Sequence, residues 1–520
     1  MDDKYVLTID YGTQSVRAMI FNSLGETLAI SKVPYVEPYF SKEPGYCEQY
    51  PDFYFDKMCL ATKEIAKNNK DILSKVAAIS MTCFRDTACI LDENHKVIRP
   101  AIVWLDQRQA KCEKRFPLIT DILFRLSGMY ETVKLNQKRT VANWLIENEP
   151  DNWKKTKYYW ALSTYFTYKL TGQETDVPSN YTGHYPINMK TGKWMKKSDL
   201  KYCVFGIKTS LLPHLTKPSG LLGYITEDAS EKTGLPAGLP LYGAGGDKSC
   251  ETLGVGANTR TKGSISYGTA SSIQVTNDKY IEPEQFLPSY LSPVEGKYNM
   301  EVQVYRGYWM LTWFINNFAS EEKAQAFIEK SAAEEILNKE LMLIPPGSDG
   351  LILQPYWGPG LKRPLAKGVV VGFSDYHTKL HLYRSIIEGI GYALKEGLES
   401  IEKRQHKKIT EIAVSGGGSK SDAICQITAD IFNVPVSRVQ TYETSSLGCA
   451  IIAFTAIGVF KNYDDAIASM VHKSITFYPI SKNVITYNEL FKKVYKKIYP
   501  KMRKINNSIR KCNKSIKERD

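Results

Sequence analysis

The chain has 520 residues, 43 % of them hydrophobic and 24 % charged, with a formal net charge of +13. That length is too great for one hydrophobic core, and no apolar run reaches the roughly 18 residues of a membrane span, so a single small domain and a membrane-spanning chain are both excluded. Nor does the charge point to nucleic acid, because +10 of it lies in residues 492–520, where twelve Lys and Arg accompany two acids. That stretch reads as a solvated basic helix with a frayed end.

In chain order, residues 6–15 read VLTIDYGTQS. An alternating apolar run turns at Gly12 and returns through Val16, Met19, Ile20 and Phe21, the pattern of a β-hairpin over 5–11 and 16–21. Apolar residues at helical spacing predict a helix over 50–69, and VAAISMTCF (76–84) reads as a buried strand. Helices follow at 140–150, ended by Pro150, and at 163–172, stopped by Gly172. LPLYGAGGD (239–247) is a strand running into glycines and an acid.

A second hairpin, KGSISYGTAS (262–271), repeats the phrase Tyr-Gly-Thr-x-Ser 256 residues after its first occurrence. Beyond it come a long helix (381–404), a strand, glycine loop and helix (409–432), and a small-residue helix (445–460). Alternating strands and helices, with a hairpin opening each half, predict an α/β chain of two domains with a cleft between them. The division is expected near Asp247, giving domains over 1–250 and 251–485 and a basic tail over 486–520. Ten scattered cysteines lack C-x-x-C or zinc spacing, and the first strand follows Met-Asp-Asp-Lys directly; both features predict a reduced, cytoplasmic protein.

Four groups of residues carry chemistry. The repeated loop offers Gly12, Thr13, Gln14 and Ser15 in one half, Gly268 and Thr269 in the other. A glycine at such a turn can take φ > 0 and lets a ligand approach the backbone, while Thr and Ser add hydroxyl donors. Two such loops suit one polyphosphate held from both sides, with Arg17 reaching a phosphate. Asp10 suits a Mg²⁺ carried by a nucleotide; its alternative is a turn residue bonding its own backbone. The loop Ser415–Asp422, with Gly416, Gly417 and Ser421, joins a strand to a helix and exposes backbone N–H groups, although it is neither a Walker A loop nor G-x-G-x-x-G.

Asp247 ends a buried-looking strand, where ligands of open α/β sheets bind, and is a candidate general base; its alternative is an N-cap for 248–254. Arg85, Asp86 and Trp104 suit a polyol, the charged groups meeting hydroxyls and the indole covering C–H faces. Their alternative is a surface ion pair and a packed Trp. Glu48 and Gln49, in GYCEQYP, are a weaker candidate pair.

Taken together, DYGTQS (10–15), FRDT (84–87), AIVWLDQR (101–108), GGD (245–247), YGTAS (267–271), EGIGYAL (388–394), SGGGSKS (415–421) and ETSSLG (443–448) stand in an order that resembles the FGGY family of carbohydrate kinases. The resemblance runs from Asp10 to about Phe460. It implies two actin-like ATPase (ribonuclease H-like) domains with an interdomain active site. It also implies ATP and Mg²⁺, a small sugar or polyol substrate, no nucleic-acid or membrane partner, and a homodimer or homotetramer. By position, Asp247 matches the catalytic base, and Arg85, Asp86, Trp104 and Asp247 match polyol contacts. Asp10 matches the metal site. Gly12, Thr13, Gln14, Ser15, Arg17, Gly268 and Thr269 match the phosphate loops, and Gly416, Gly417 and Ser421 match the nucleoside site.

The chain also departs from that family. Glycerol kinases carry Arg-Glu and a Gln where this chain has Arg85-Asp86 and Lys248. The Met-His-Gly of xylulose kinases is absent near 84–86, and Pro359-Gly360-Leu361-Lys362-Arg363 replaces a Gly-Glu-Arg continuation. The expected function is transfer of the γ-phosphate of ATP to a hydroxyl of a pentulose, a glycerol-like polyol or an autoinducer-2-like diol. Two alternatives are an actin- or Hsp70-like nucleotide switch and a catalytically silent sugar-binding member.

Overall fold

A computed structural model describes residues 4–113, 115–358, 360, 363 and 365–517. Pro359, Leu361 and Lys362 lie outside the described residues. The chain forms two compact units: one comprises Met1–Asn258, Thr276–Asn299 and Glu443–His472, the other Thr259–Val275, Met300–Tyr442 and Lys473–Asp520.

The first unit is built on a six-stranded sheet in the order Leu221–Tyr224, Pro240–Gly246, Val76–Cys83, Tyr5–Tyr11, Ser15–Phe21, Thr27–Pro34. Tyr5–Tyr11, Val76–Cys83 and Pro240–Gly246 run parallel, and the hairpin strands are antiparallel. The three parallel strands are almost wholly buried apolar runs, as a sheet covered on both faces requires. Their register aligns Asp10 with Thr82, Tyr11 with Cys83 and Gly246 with Cys83. All three strands therefore end at one edge of the sheet, where Asp10, Arg85, Asp86 and Asp247 emerge.

Helix Pro51–Asn68 covers the hairpin side of this sheet, and helix Thr444–Ala456 covers the parallel strands. The latter crosses helix Asp247–Gly254 at backbone contact: a Cβ on Gly254 would sit 1.9 Å from the Thr444 carbonyl oxygen, and one on Gly448 2.0 Å from that of Cys250. Two glycines, 194 positions apart in the chain, thus permit one helix crossing.

The second unit repeats the plan. Its sheet belongs to a seven-stranded one in the order Tyr290–Leu291, Tyr298–Val304, Ser271–Asn277, Lys262–Tyr267, Glu411–Gly416, Val436–Val439, Lys473–Phe477. Again a hairpin lies beside a parallel strand, now with Tyr267 opposite Gly416, and again an antiparallel strand closes the edge. The repeated phrase in the sequence is therefore the local trace of a repeated sheet.

Most predicted elements fall within a residue or two of their expected bounds. There are two exceptions: the helix expected to reach 460 ends at Ala456, and Pro150 opens helix Pro150–Lys155 at its first turn instead of closing the preceding helix, which ends at Asn148. Its missing N–H is harmless there and its fixed φ suits a helix start. The basic segment forms helix Lys496–Lys517. Among the described residues, no helix is long and apolar enough to cross a membrane.

Candidate active site

In the first unit, Asp10 is the penultimate residue of its strand and stands opposite Arg17 on the return strand. Its carboxylate is 5 % exposed, and Arg17 Nη1 lies 3.3 Å from Oδ2. Arg17 Nε also approaches Glu443 Oε2 at 2.8 Å. Burial pushes the Asp10 carboxyl up to about 7 against the pull of Arg17, and the negative charges of Glu443, Asp247 and Glu251 add to the rise. Asp10 is thus one buried carboxylate in a negatively charged surrounding, offering hard oxygen donors. That chemistry fits Mg²⁺, which is commonly held by one or two carboxylates while keeping several waters.

Asp247 is the first residue of helix Asp247–Gly254, so Gly246 and not Asp247 occupies the N-cap. Asp247 Oδ1 accepts the N–H of Lys248 at 2.9 Å. Burial raises its pKa, opposed by the charges of Lys248 and Arg85. Lys248 is itself paired with Glu251, Nζ to Oε2 at 2.9 Å.

Arg85 lies against the same strand end. A Cβ on Gly246 would fall 2.5 Å from Arg85 Cγ and Cδ, so glycine is required for the side chain to pass. The Arg85 guanidinium stacks over the Tyr290 ring at 4.7 Å. Asp86 adopts a left-handed backbone, φ 60°, which directs its side chain away from the path of a continuing strand. Asp86 Oδ1 accepts a hydrogen bond from Thr182 Oγ1 and meets His184 Nδ1 at 3.1 Å. Burial raises the Asp86 pKa, but His184, Thr182 and Arg85 together hold it below the usual carboxylate range.

Trp104 donates from Nε1 to Thr13 Oγ1 at 3.2 Å, which joins the polyol candidate to the first hairpin turn. Its loop is anchored by buried charge. Arg108 forms two hydrogen bonds to Asp106 (2.8 and 2.7 Å) and one to Glu48 (2.8 Å), and stacks on Tyr46 at 3.7 Å. Arg99 also pairs with Glu48. Glu48 is thus absorbed by the scaffold, while Gln49 ties down the Glu37 carbonyl.

Sequence reasoning missed Glu443, Glu251, Thr182 and His184. Glu443 opens the ETSSLG phrase, yet nothing local places it beside Arg17. Thr182 and His184 follow a buried carboxylate, Asp176, that accepts hydrogen bonds from Ser163, Thr164, Asn180, Tyr181 and the N–H of Val177. Asn136 Nδ2 holds the Gly183 carbonyl at 2.8 Å.

Gly12 does not take a positive φ. A Cβ on Gly12 would sit 3.2 Å from the Ser15 carbonyl oxygen, a tight contact that favours glycine there. Gly12 and Thr13 are partly exposed, Gln14 is exposed and Ser15 is buried. In the second unit, the carbonyls of Gly268 and Thr269 accept the N–H groups of Tyr308 (3.1 Å) and Trp309 (3.3 Å), which fixes the turn.

Gly416 sits at φ 78°, with its Cβ position 2.6 Å from the Tyr267 carbonyl oxygen. Gly418 leaves room for the Tyr308 ring, 2.3 Å from where a Cβ would stand, whereas Gly417 is exposed and its Cβ position has nothing nearer than 3.9 Å. Arg438 ties down the carbonyls of Ser419 and Lys420 at 3.1 and 3.0 Å, and Ser421 caps helix Asp422–Phe432.

The family model for the N-terminal domain of FGGY carbohydrate kinases matches residues 5–254, and that for the C-terminal domain matches 263–457. The chain belongs to the FGGY family of carbohydrate kinases. It is similar to the xylulose kinase of Lactococcus lactis, 28 % identical over 97 % of this chain and 98 % of that one. It is also similar to glycerol kinase 2 of Saccharolobus solfataricus, 29 % identical over 89 % and 91 %.

A solved gluconate kinase from Lactobacillus acidophilus shares the fold of this FGGY kinase with a TM-score of 0.81, at 22 % identity over 98 % of this chain and 100 % of that one. The two-domain α/β architecture is accordingly of the actin-like ATPase type. This FGGY kinase is an ATP-dependent carbohydrate kinase, a phosphotransferase with an alcohol group as acceptor. Neither the nucleotide-switch reading nor the silent sugar-binding reading is favoured by these findings.

Proposed function

We propose that this kinase phosphorylates a primary hydroxyl of a small linear sugar of the pentulose class, with Asp247 as general base. The observation that carries the reading is the convergence of Asp10, Arg85, Asp86 and Asp247 on the carboxyl ends of three adjacent parallel strands. Similarity to xylulose kinases over nearly the whole chain supports the substrate class.

Asp247 takes the proton from the attacking hydroxyl; the positive charges of Arg85 and Lys248 oppose the rise that burial imposes on its pKa. Arg85 and Asp86 hold the remaining hydroxyls, and Trp104 covers a C–H face. Asp10 holds the nucleotide's Mg²⁺, which when bound neutralises charge on the phosphoryl group in flight. Thr13, Gln14, Ser15 and Arg17 bind phosphate oxygens where Gly12 lets them approach the backbone, as do Gly268 and Thr269. The open backbone at Gly416 and Gly417 takes the nucleoside, with Ser421 holding the helix start that follows. Cytoplasmic placement and assembly as a dimer or tetramer complete the reading.

A coupled ADP-release assay with xylulose, gluconate, glycerol and about thirty other sugars tests it. ADP release dependent on a ketopentose, with sugar phosphate seen by phosphorus NMR, supports the reading. Release driven by none of them overturns it.

A further inference from the structure

We infer that His184 is a sugar-binding, specificity-determining residue that acts with Asp86 as a two-point grip on hydroxyls away from the phosphorylated one. The inference rests on the kinase reading above and deepens it. Asp86 is ionised, so its carboxylate only accepts hydrogen bonds, and His184 Nδ1 at 3.1 Å must be the protonated ring nitrogen. With Nδ1 committed to Asp86, Nε2 is the ring nitrogen that can meet a sugar hydroxyl.

Among the described residues, the side-chain hydrogen bonds to Asp86, from Thr182 and His184, go to Oδ1, and a ligand can meet Oδ2. The imidazole is 36 % exposed and the Asp86 side chain 29 %, so both are reachable. On one rigid support, Asp86 Oδ2 accepts from one hydroxyl of a diol and His184 Nε2 meets the next. The Asp86 carboxylate also repels a carboxylate, so an acid-bearing end of a substrate would lie elsewhere.

The support is rigid for reasons that do not involve ligand. Asp176 gathers five donors under residues 177–181, and Asn136 holds Gly183 from the other side. The grip also adjoins the chemistry. Asp86 follows Arg85, whose stem crosses Gly246 immediately before Asp247. Asp86 reaches less far than a Glu would, and Thr182 and His184 turn one of its oxygens inward.

The test compares wild type, His184→Ala, His184→Asn and Thr182→Val on xylulose, gluconate and glycerol. Losing a hydrogen bond between a hydroxyl and the Asp86–His184 pair raises the sugar KM about 10- to 100-fold in His184→Ala. The KM for ATP and the melting temperature stay near wild type. Because a longer substrate engages both points, the KM for xylulose rises by a larger factor than that for glycerol. His184→Asn, which keeps a polar group, recovers part of the loss.

If wild type turns over a sugar and the His184 variants keep its KM within twofold, this inference falls and the kinase reading stands. Equal losses for sugar and ATP, tracking a lowered melting temperature, would make His184 structural and also overturn it. Absence of turnover by wild type with all three sugars would remove the reading itself and this inference with it.

Discussion

Asp10 and Arg17 are register partners across the first hairpin, and their side chains meet at 3.3 Å. The pair is unequal. Arg17 also serves Glu443 at 2.8 Å, so one guanidinium stands between two carboxylates, with Asp247 and Glu251 adding negative charge nearby. The arrangement is short of positive charge at the place where a phosphate-bound cation would enter.

Asp10 should therefore titrate near neutrality in the ligand-free protein. Its folded pKa of about 7 lies above the ordinary value of 3.8, so the native state binds this proton more tightly than the unfolded state. The stability it contributes is complete below about pH 4 and is lost as pH rises towards 7. Binding of Mg²⁺ with a nonhydrolysable ATP analogue at pH 6.5 should release a proton. Calorimetry in two buffers of different ionisation enthalpy should detect that proton in wild type and not in Asp10→Asn.

Asp247→Asn should lower kcat by roughly 10²- to 10⁴-fold, the usual contribution of a general base. The amide keeps the size of the side chain and can still accept the Lys248 N–H, so nucleotide affinity should change little. Turnover within tenfold of wild type would remove Asp247 from the base role.

The glycine loop of the second unit should divide by position. In Gly418→Ala the new methyl meets the Tyr308 ring, which itself packs on Tyr267 with centroids 4.9 Å apart, and the cost should be about 1–3 kcal/mol. In Gly417→Ala the methyl enters open space, so stability should stay within about 0.5 kcal/mol. The KM for ATP should nevertheless rise by about tenfold, as if 1.4 kcal/mol of binding were lost. Chemical denaturation and ATP kinetics on both variants would separate the two effects.

Glu388 should matter to folding and not to chemistry. It is 1 % exposed and accepts hydrogen bonds from Arg384 Nε, Tyr487, Ser348 and the N–H of Gly347, all at 2.8–3.0 Å. Glu388→Gln leaves the buried Arg384 guanidinium without its counter-charge and should cost about 3–5 kcal/mol. Urea unfolding should show a lowered midpoint with an unchanged KM for sugar.

The hairpins, the glycine loop and the long helices were readable because each is specified by neighbours in the chain. Alternation at 6–11, the turn residues at 12–15 and the Gly172 helix stop act over a few residues. Pro150 misled because the same fixed φ that ends one helix begins another, and local pattern does not choose between them. The positive φ that a glycine at such a turn can take is not used at Gly12, where the Ser15 carbonyl, 3.2 Å from a Cβ position, is what favours glycine. Asp10, Arg85, Asp86, Trp104 and Asp247 were nameable from residue type and order. Glu443, Thr182 and His184 were not, because their importance comes from partners far away in sequence.

From its order of residues alone, this chain declared its elements, its internal repeat and its family. Backbone preference and hydrophobic period are local, and motif order survives without coordinates. Only the folded chain decided which carboxylates share Arg17, that the Thr444–Ala456 helix packs on the first unit through Gly254 and Gly448, and that Asp86 turns one oxygen to Thr182 and His184. Those are contacts between distant segments, and burial and charge at a site are sums over such neighbours, which no window of sequence contains.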